Sequence, residues 1–208
     1  MTDSGDPDGR ALRDDIEAGH PNHELLELVT ERLILREITQ NDLATLIPVY
    51  QSHTAPEVES DPAYVLKRLT HEWRVLETLG THHTLALFER QNMTTGDGPL
   101  PVTEFPGEPV GVLDYMDESP QAHIPWLGLV MVRADHLGHG IAGETLETLF
   151  AYGESLGWTR IGTGVPESDR DAFSFLAHFG FHEAGRSDGP IPGQPDGTLL
   201  ILERTLGH

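Results

Sequence analysis

Cysteine is absent from this 208-residue chain, which excludes a disulfide framework, a thiolate zinc site and a cysteine nucleophile together. Lysine is nearly absent: Lys67 alone accompanies twelve arginines. A nucleotide triphosphatase loop, G-x-x-x-x-G-K-[ST], therefore has no lysine at any glycine turn. Positive charge as a whole is scarce, with 13 Lys and Arg against 34 Asp and Glu and a formal net charge of -21. Such a surface repels phosphate backbones and anionic headgroups, so neither a nucleic-acid partner nor a membrane is expected. Long apolar runs are missing too. The longest, Ile124 to Val132, is far too short to span a bilayer, and Met1 to Gly9 holds no signal core. The expectation is a soluble, cytoplasmic protein. The arginine bias and the acid excess fit a salt-rich cytoplasm and a GC-rich genome equally.

The length suits one domain plus a tail. Residues 1–27, rich in Asp, Gly, Asn and His, read as a flexible acidic tail with a short helix over Ala11–Ala18, and residues 28–208 as a single domain. Alternation from Leu33 to Ile38 predicts a strand, and Thr39 then stands as the N-cap of a helix over Asn41–Tyr50. Asp61-Pro62 opens a second helix to about Leu79, with Val65, Leu66, Leu69, Trp73 and Leu76 at helical spacing and Gly80 as its stop. A strand over Thr84–Glu89 leads into Gln91–Glu108, whose three prolines and three glycines read as a loop of lid length. Two further strands, Val110–Met116 and Ile124–Val132, flank the acidic turn Asp117–Gln121. Then come a helix from Ile141 to Leu156, a strand at Arg160–Gly164, a helix at Ser168–His178, and strands near Glu183–Arg186 and Thr198–Arg204. The order is β-α-α-β-β-β-α-β-α-β-β, without internal repeats.

The stretch Leu129 to Gly143 is the most informative, an apolar strand running into the turn Leu137-Gly138-His139-Gly140 and on into a helix. Glycines there let the backbone bend tightly and approach a ligand, while free N–H groups and the positive dipole end of the helix attract phosphate. A turn whose glycines only relieve backbone strain is the alternative. Gly138, Gly140 and Gly143 also have the G-x-G-x-x-G spacing of dinucleotide sites, but without the repeated parallel βαβ series that fingerprint requires.

This segment resembles the acyl-CoA signature of the GCN5-related N-acetyltransferase (GNAT) superfamily, a strand followed by [QR]-x-x-G-x-[GA] at a helix start. Gly140 and Ala142 match, whereas Leu137 replaces the leading Gln or Arg. Thr30 to Asp42 resembles the first strand and helix start of the branch that includes ribosomal-protein N-terminal acetyltransferases. Asp169 to Phe181 resembles the second cofactor segment, with Asp169 in place of the usual Asn. The resemblance implies an α/β acyl-CoA N-acyltransferase fold, a mixed, mostly antiparallel sheet flanked by helices. It further implies acetyl-CoA as cofactor and direct acetyl transfer to a primary amine, on a small molecule or a peptide, and leaves room for a homodimer. The residues it assigns to the cofactor are Val130, Met131 and Val132 on the strand, Leu137, Gly138, His139, Gly140, Ile141 and Ala142 at the turn, and Asp169. Capping of its own helix is a second role open to Asp169.

The chain departs from the family where protons move. Leu176 stands where a tyrosine commonly meets the leaving thiolate, and Trp126 where a carboxylate base is common. Neither exchanges a proton. Asp114 and Tyr115 are the replacement candidates, and period-two alternation sends them to opposite faces, so at most one enters the cleft. Tyr115 is equally a core tyrosine. His123 and Asp117–Glu118 are further options that also fit a solvated turn, while His178 sits on the wrong side of its helix relative to Leu176. Trp126 and Trp73 read as core or cleft-wall aromatics. His82-His83 and His136/His139 invite a metal, but adjacent strand histidines diverge and no H-E-x-x-H spacing occurs, so none is expected. A non-catalytic acyl-CoA-binding sensor module is the alternative function.

Overall fold

In the computed structural model, the described residues are 25–53, 61–78, 81–90, 107–191 and 194–207. The expected tail helix and nearly all of the loop Gln91–Glu108 lie outside them. One sheet organises the rest. Its strands are β1 (Glu27–Val29), β2 (Leu33–Glu37), β3 (His82–Glu89), β4 (Gly111–Met116), β5 (Trp126–Val132), β6 (Arg160–Pro166), β7 (His182–Ile191) and β8 (Gln194–Thr205). They lie in the order β1-β2-β3-β4-β5-β6-β8-β7. Every neighbouring pair is antiparallel except β5 with β6, so the mixed, mostly antiparallel sheet is as expected. The three-residue β1 is an addition to the expected strands.

Helices cover both faces of the sheet, and the strand sequences show it. A strand buried on both sides has no polar face to alternate with. Leu85-Ala86-Leu87-Phe88 in β3 is a continuous apolar run for this reason: Leu85 and Leu87 join one buried cluster with Leu113, Leu146 and Leu149, while Ala86 and Phe88 join the other with Val65 and Leu69. The first cluster lies under α3 (Ile141–Ser155) and α4 (Arg170–His178), the second under α1 (Ile47–Gln51) and α2 (Pro62–Glu77).

The helix expected over Asn41–Tyr50 is a 3-10 segment, Gln40–Leu46, followed by the short α1. Pro48 explains the change. It has no N–H for an interior helical bond and clashes with the preceding turn, but it suits the first turn of a new helix, where it sits. Thr39 caps as expected, in a reciprocal box with Asp42. Asp61 accepts from the Ala63 amide at the start of α2, with Pro62 in the first helical position.

Candidate active site

The single parallel pairing creates the site. β5 and β6 are in register only at Trp126 with Gly162 and Leu127 with Thr163, where the Thr163 hydroxyl also donates to the Leu127 carbonyl at 2.9 Å. Beyond this point β6 stays with β8 along its whole length and the two strands separate. The gap is a cleft of about 710 Å³ lined by β5, by β6 through Gly164 and Val165, by the turn before α3, and by Ala172, Phe175 and Leu176 of α4. Helical and strand elements thus meet at one opening, the usual setting for a small-molecule site.

A bulge aims β5 into that cleft. The register shifts between Asp114 and Tyr115, whose partners are Leu129 and Leu127, leaving Gly128 as the extra residue. As a result Leu127 and Val130 share one core cluster, although three residues apart, while Leu129 and Met131 pack with the other. The Arg133 amide bonds the Val110 carbonyl at 2.7 Å, which fixes the alternation of the ladder. Met131 and Leu129 therefore turn their amides toward β4, and Val130 and Val132 turn theirs toward the gap. Among the described residues nothing accepts from these two amides, so the strand presents N–H donors to the cleft. The Val132 carbonyl on that side is met by His53 Nε2 at 2.5 Å, and His53 itself lines the cleft at the end of α1. Sequence reasoning missed His53, since a lone histidine after a helix carries no pattern.

The turn before α3 supplies further donors. Gly138 and Gly140 both have φ +79, a left-handed conformation that costs a side-chain-bearing residue about 1–2 kcal/mol. Gly140 is the N-cap, no side chain caps the helix, and the first intrahelical bond runs from the Glu144 amide to the Gly140 carbonyl at 3.0 Å. The amides of Ile141 and Ala142 consequently remain for a ligand. Among the described residues, a Cβ on Gly138 would meet nothing within 4 Å, and one on Gly140 only the Arg32 Nη2 at 3.4 Å. No described residue fills the space over the turn, as an approaching phosphate requires. Leu137, Gly138, Gly140, Ile141 and Ala142 all line the cleft with Val130, Met131 and Val132; His139 and Asp169 do not. Leu137 exposes 57 % of its surface, which fits a position vacated by a polar contact. Asp169 caps α4, accepting from the Ala172 amide at 3.0 Å, and its neighbour Asp171 lines the cleft instead. These donors, the open space and the helix dipole fit the pyrophosphate and pantetheine of acetyl-CoA.

The two proton-transfer candidates take opposite faces, as alternation requires. Tyr115 is 1 % exposed within the α3 cluster, stacked on His83 at 4.8 Å between ring centres and edge-on to Trp158, and is no part of the cleft wall. Burial drives its phenol far above the usual range. Asp114 lies on the other face, where Thr84 donates a short hydrogen bond to it. Burial and the charge of Glu72 raise its carboxyl to about 6 against the opposing Thr84 bond. It is one strand behind the cleft, directly paired with the cleft-lining Leu129. Trp126 sits at the closed end of the gap, its ring within 2.7 Å of the Cβ position on Gly162; only glycine leaves room for it, and the indole fills the strand junction. Leu176 does line the cleft, 5 % exposed. His82 and His83 part as expected, His82 against Trp73 and His83 against Tyr115. Among the described residues no helix is long and apolar enough to cross a membrane.

The family model described as the acetyltransferase (GNAT) family matches residues 65–181. Several solved structures are similar. An acetyltransferase from Thermus thermophilus is 25% identical and has a TM-score of 0.57, with 87% of this chain and 100% of that one covered. A ribosomal-protein alanine N-acetyltransferase from Escherichia coli is 16% identical with a TM-score of 0.54, covering 85% of this chain and 95% of its own. A spermidine N-acetyltransferase chimera from Vibrio cholerae and hSSAT is 13% identical with a TM-score of 0.57, covering 83% of this chain and 95% of its own. Comparison with curated proteins gives no match. A splayed strand pair beside an uncapped, glycine-led helix, within a sequence that the family model matches over more than half its length, makes this chain a member of the GNAT family and an acetyl-CoA-dependent N-acetyltransferase.

Proposed function

We propose that the chain moves an acetyl group from acetyl-CoA to a primary amine of a small molecule or peptide by direct transfer within the β5–β6 cleft. The observation that carries this reading is the convergence of unpaired strand amides at Val130 and Val132 with the open turn Gly138–Ala142 on one cleft. The turn amides hold the pyrophosphate. Val130 and Val132 amides bond the pantetheine arm and the thioester oxygen, where a donor stabilises the negative charge that develops on attack. Acetyl-CoA supplies an activated acyl carbon, and the amine must reach it unprotonated.

Asp114 is the base in this reading. Of the two candidates it has the suited acidity, about 6, close to the optimum for proton transfer near neutral pH. It is paired with the cleft-lining Leu129 and does not itself line the cleft, so the proton reaches it through water. Tyr115, sealed in the core with its phenol pushed up, holds the β4–α3 packing. Leu176 offers the departing thiolate no proton, so that proton comes from solvent in the open cleft. The formal charge of -21 draws cationic amines toward the protein. The similar structures include acetyltransferases named for a ribosomal-protein alanine and for spermidine, both of them amine acceptors.

The test is release of free CoA from acetyl-CoA across a panel of small amines, polyamines and peptides bearing a free N-terminus. Turnover with one class and not the others fixes the acceptor. Acetyl-CoA binding without CoA release from any amine overturns the enzyme reading in favour of a binding module.

A further inference from the structure

The turn between β1 and β2 reaches across to the glycine turn before α3. Arg32 donates from Nη1 to the His139 carbonyl at 3.0 Å, and from Nε to Glu144 at 2.7 Å, with Nη2 at 2.5 Å from the same carboxylate oxygen. Thr30 donates a short bond to the other oxygen of Glu144. Glu144 stands in the first turn of α3, so the guanidinium ties the carbonyl before the helix to a carboxylate within it. Arg90 steadies the far side of this brace, with its amide on the Arg32 carbonyl at 2.6 Å and its Nη1 on the Thr30 carbonyl at 3.1 Å.

We propose that Arg32 is a positioning residue for acetyl-CoA, holding the His139–Gly140 peptide so that its amide faces the bound pyrophosphate. This rests on the reading of the turn as the pyrophosphate site. In a trans peptide the C=O and N–H point in opposite directions. Holding the His139 oxygen toward the β1–β2 turn therefore directs the Gly140 N–H to the other side, where Gly140 lines the cleft. The next peptide is fixed as well, because the Gly140 carbonyl accepts from the Glu144 amide. Glycine makes the brace necessary. With no Cβ, Gly140 at φ +79 has little intrinsic reason to keep its preceding peptide in one orientation. Leu137 adds no polar side chain to the turn, and the bond that holds the His139 carbonyl comes from Arg32 on the neighbouring β1–β2 turn.

The experiment measures the affinity of the wild type and of Arg32→Ala, Arg32→Lys and Glu144→Gln for acetyl-CoA and for acetyl-pantetheine, which lacks the pyrophosphate. Thermal midpoints are recorded for each. The Arg32 side chain is 55% exposed, so the two Arg32 variants are expected to fold, and glutamine keeps the shape of Glu144. Arg32→Ala should weaken acetyl-CoA about tenfold, the scale of one misdirected charge-assisted hydrogen bond, and leave acetyl-pantetheine unchanged. Arg32→Lys should recover only part of the loss, because an ammonium cannot hold the carbonyl and the carboxylate as a fork does. Glu144→Gln should weaken acetyl-CoA in the same direction by less. Equal loss for both ligands, full recovery by lysine, or unchanged affinity in Arg32→Ala overturns the positioning role. A wild type that binds both ligands equally overturns the pyrophosphate site itself, and the role of Arg32 with it.

Discussion

Replacing His83 by glutamine removes a cation held between two carboxylates, and the cost should depend on pH. His83 donates through Nδ1 to Glu37 at 2.7 Å and through Nε2 to Asp117 at 3.1 Å, with its ring stacked on Tyr115. Burial alone would lower its pKa, but the bonds to Asp117 and Glu37 outweigh burial and raise it from 6.5 to about 9. A raised histidine pKa stabilises the fold fully below the unfolded value of 6.5 and loses that contribution as pH rises through 9. Unscreened, the difference corresponds to about 3 kcal/mol. Asp117 is 45% exposed while the imidazole is 13% exposed, so solvent screening reduces the net value to about 1–2 kcal/mol. Urea denaturation of the wild type and His83→Gln between pH 6 and 10 measures it. The wild type should lead by this margin at pH 6, and most of the pH-dependent part should vanish by pH 10. A stability gap that does not change with pH would refute the assignment of a charged His83.

Asp114→Asn should lower kcat/KM about a hundredfold near neutral pH and remove an acidic limb near pH 6 in the wild-type rate profile, where the carboxyl titrates; an unaltered profile would clear Asp114 of the role. The same carboxyl, raised from 3.8 to about 6 by burial, stabilises the fold below pH 3.8 and withdraws that contribution as pH climbs through 6. Urea denaturation at a series of pH values should therefore show the asparagine variant gaining on the wild type as pH rises from 3.8 through 6. Gly140→Val should abolish acetyl-CoA binding in calorimetry, because its φ of +79 strains any side chain and the branched group would crowd Arg32, whose Nη2 lies 3.4 Å from the Cβ position. Gly153→Ala should lower stability by about 1–3 kcal/mol, since its Cβ would overlap the Trp158 ring, and a neutral result in thermal melts would contradict the packing described.

Most of the architecture was legible because each element signalled itself locally. Thr39 and Asp61 announced helix starts, and Gly138 and Gly140 marked the turn that the structure places at φ +79. Pro48 was legible too, but the extended apolar pattern around it hid the break between a 3-10 segment and α1. The three residues of β1 carry no periodicity of their own and are a strand only through pairing with β2. The cleft wall formed by β5 and the turn before α3 followed from contiguous residues. The facing of the individual β5 residues did not, because it depends on the bulge at Gly128, which reverses the facing of the residues after it. A one-residue insertion of this kind leaves no trace in composition. Likewise Arg32 and Glu144 are 112 residues apart, and nothing in a single sequence joins them.

The most direct measurement is a calorimetric titration of the purified protein with acetyl-CoA and with acetyl-pantetheine, each at low and high salt, because a chain of formal charge -21 repels a polyanion unless screened. Micromolar binding of acetyl-CoA is expected, with acetyl-pantetheine still binding but markedly more weakly for want of the pyrophosphate contacts. Equal affinity for the two compounds, or no binding of acetyl-CoA at either salt concentration, would contradict it.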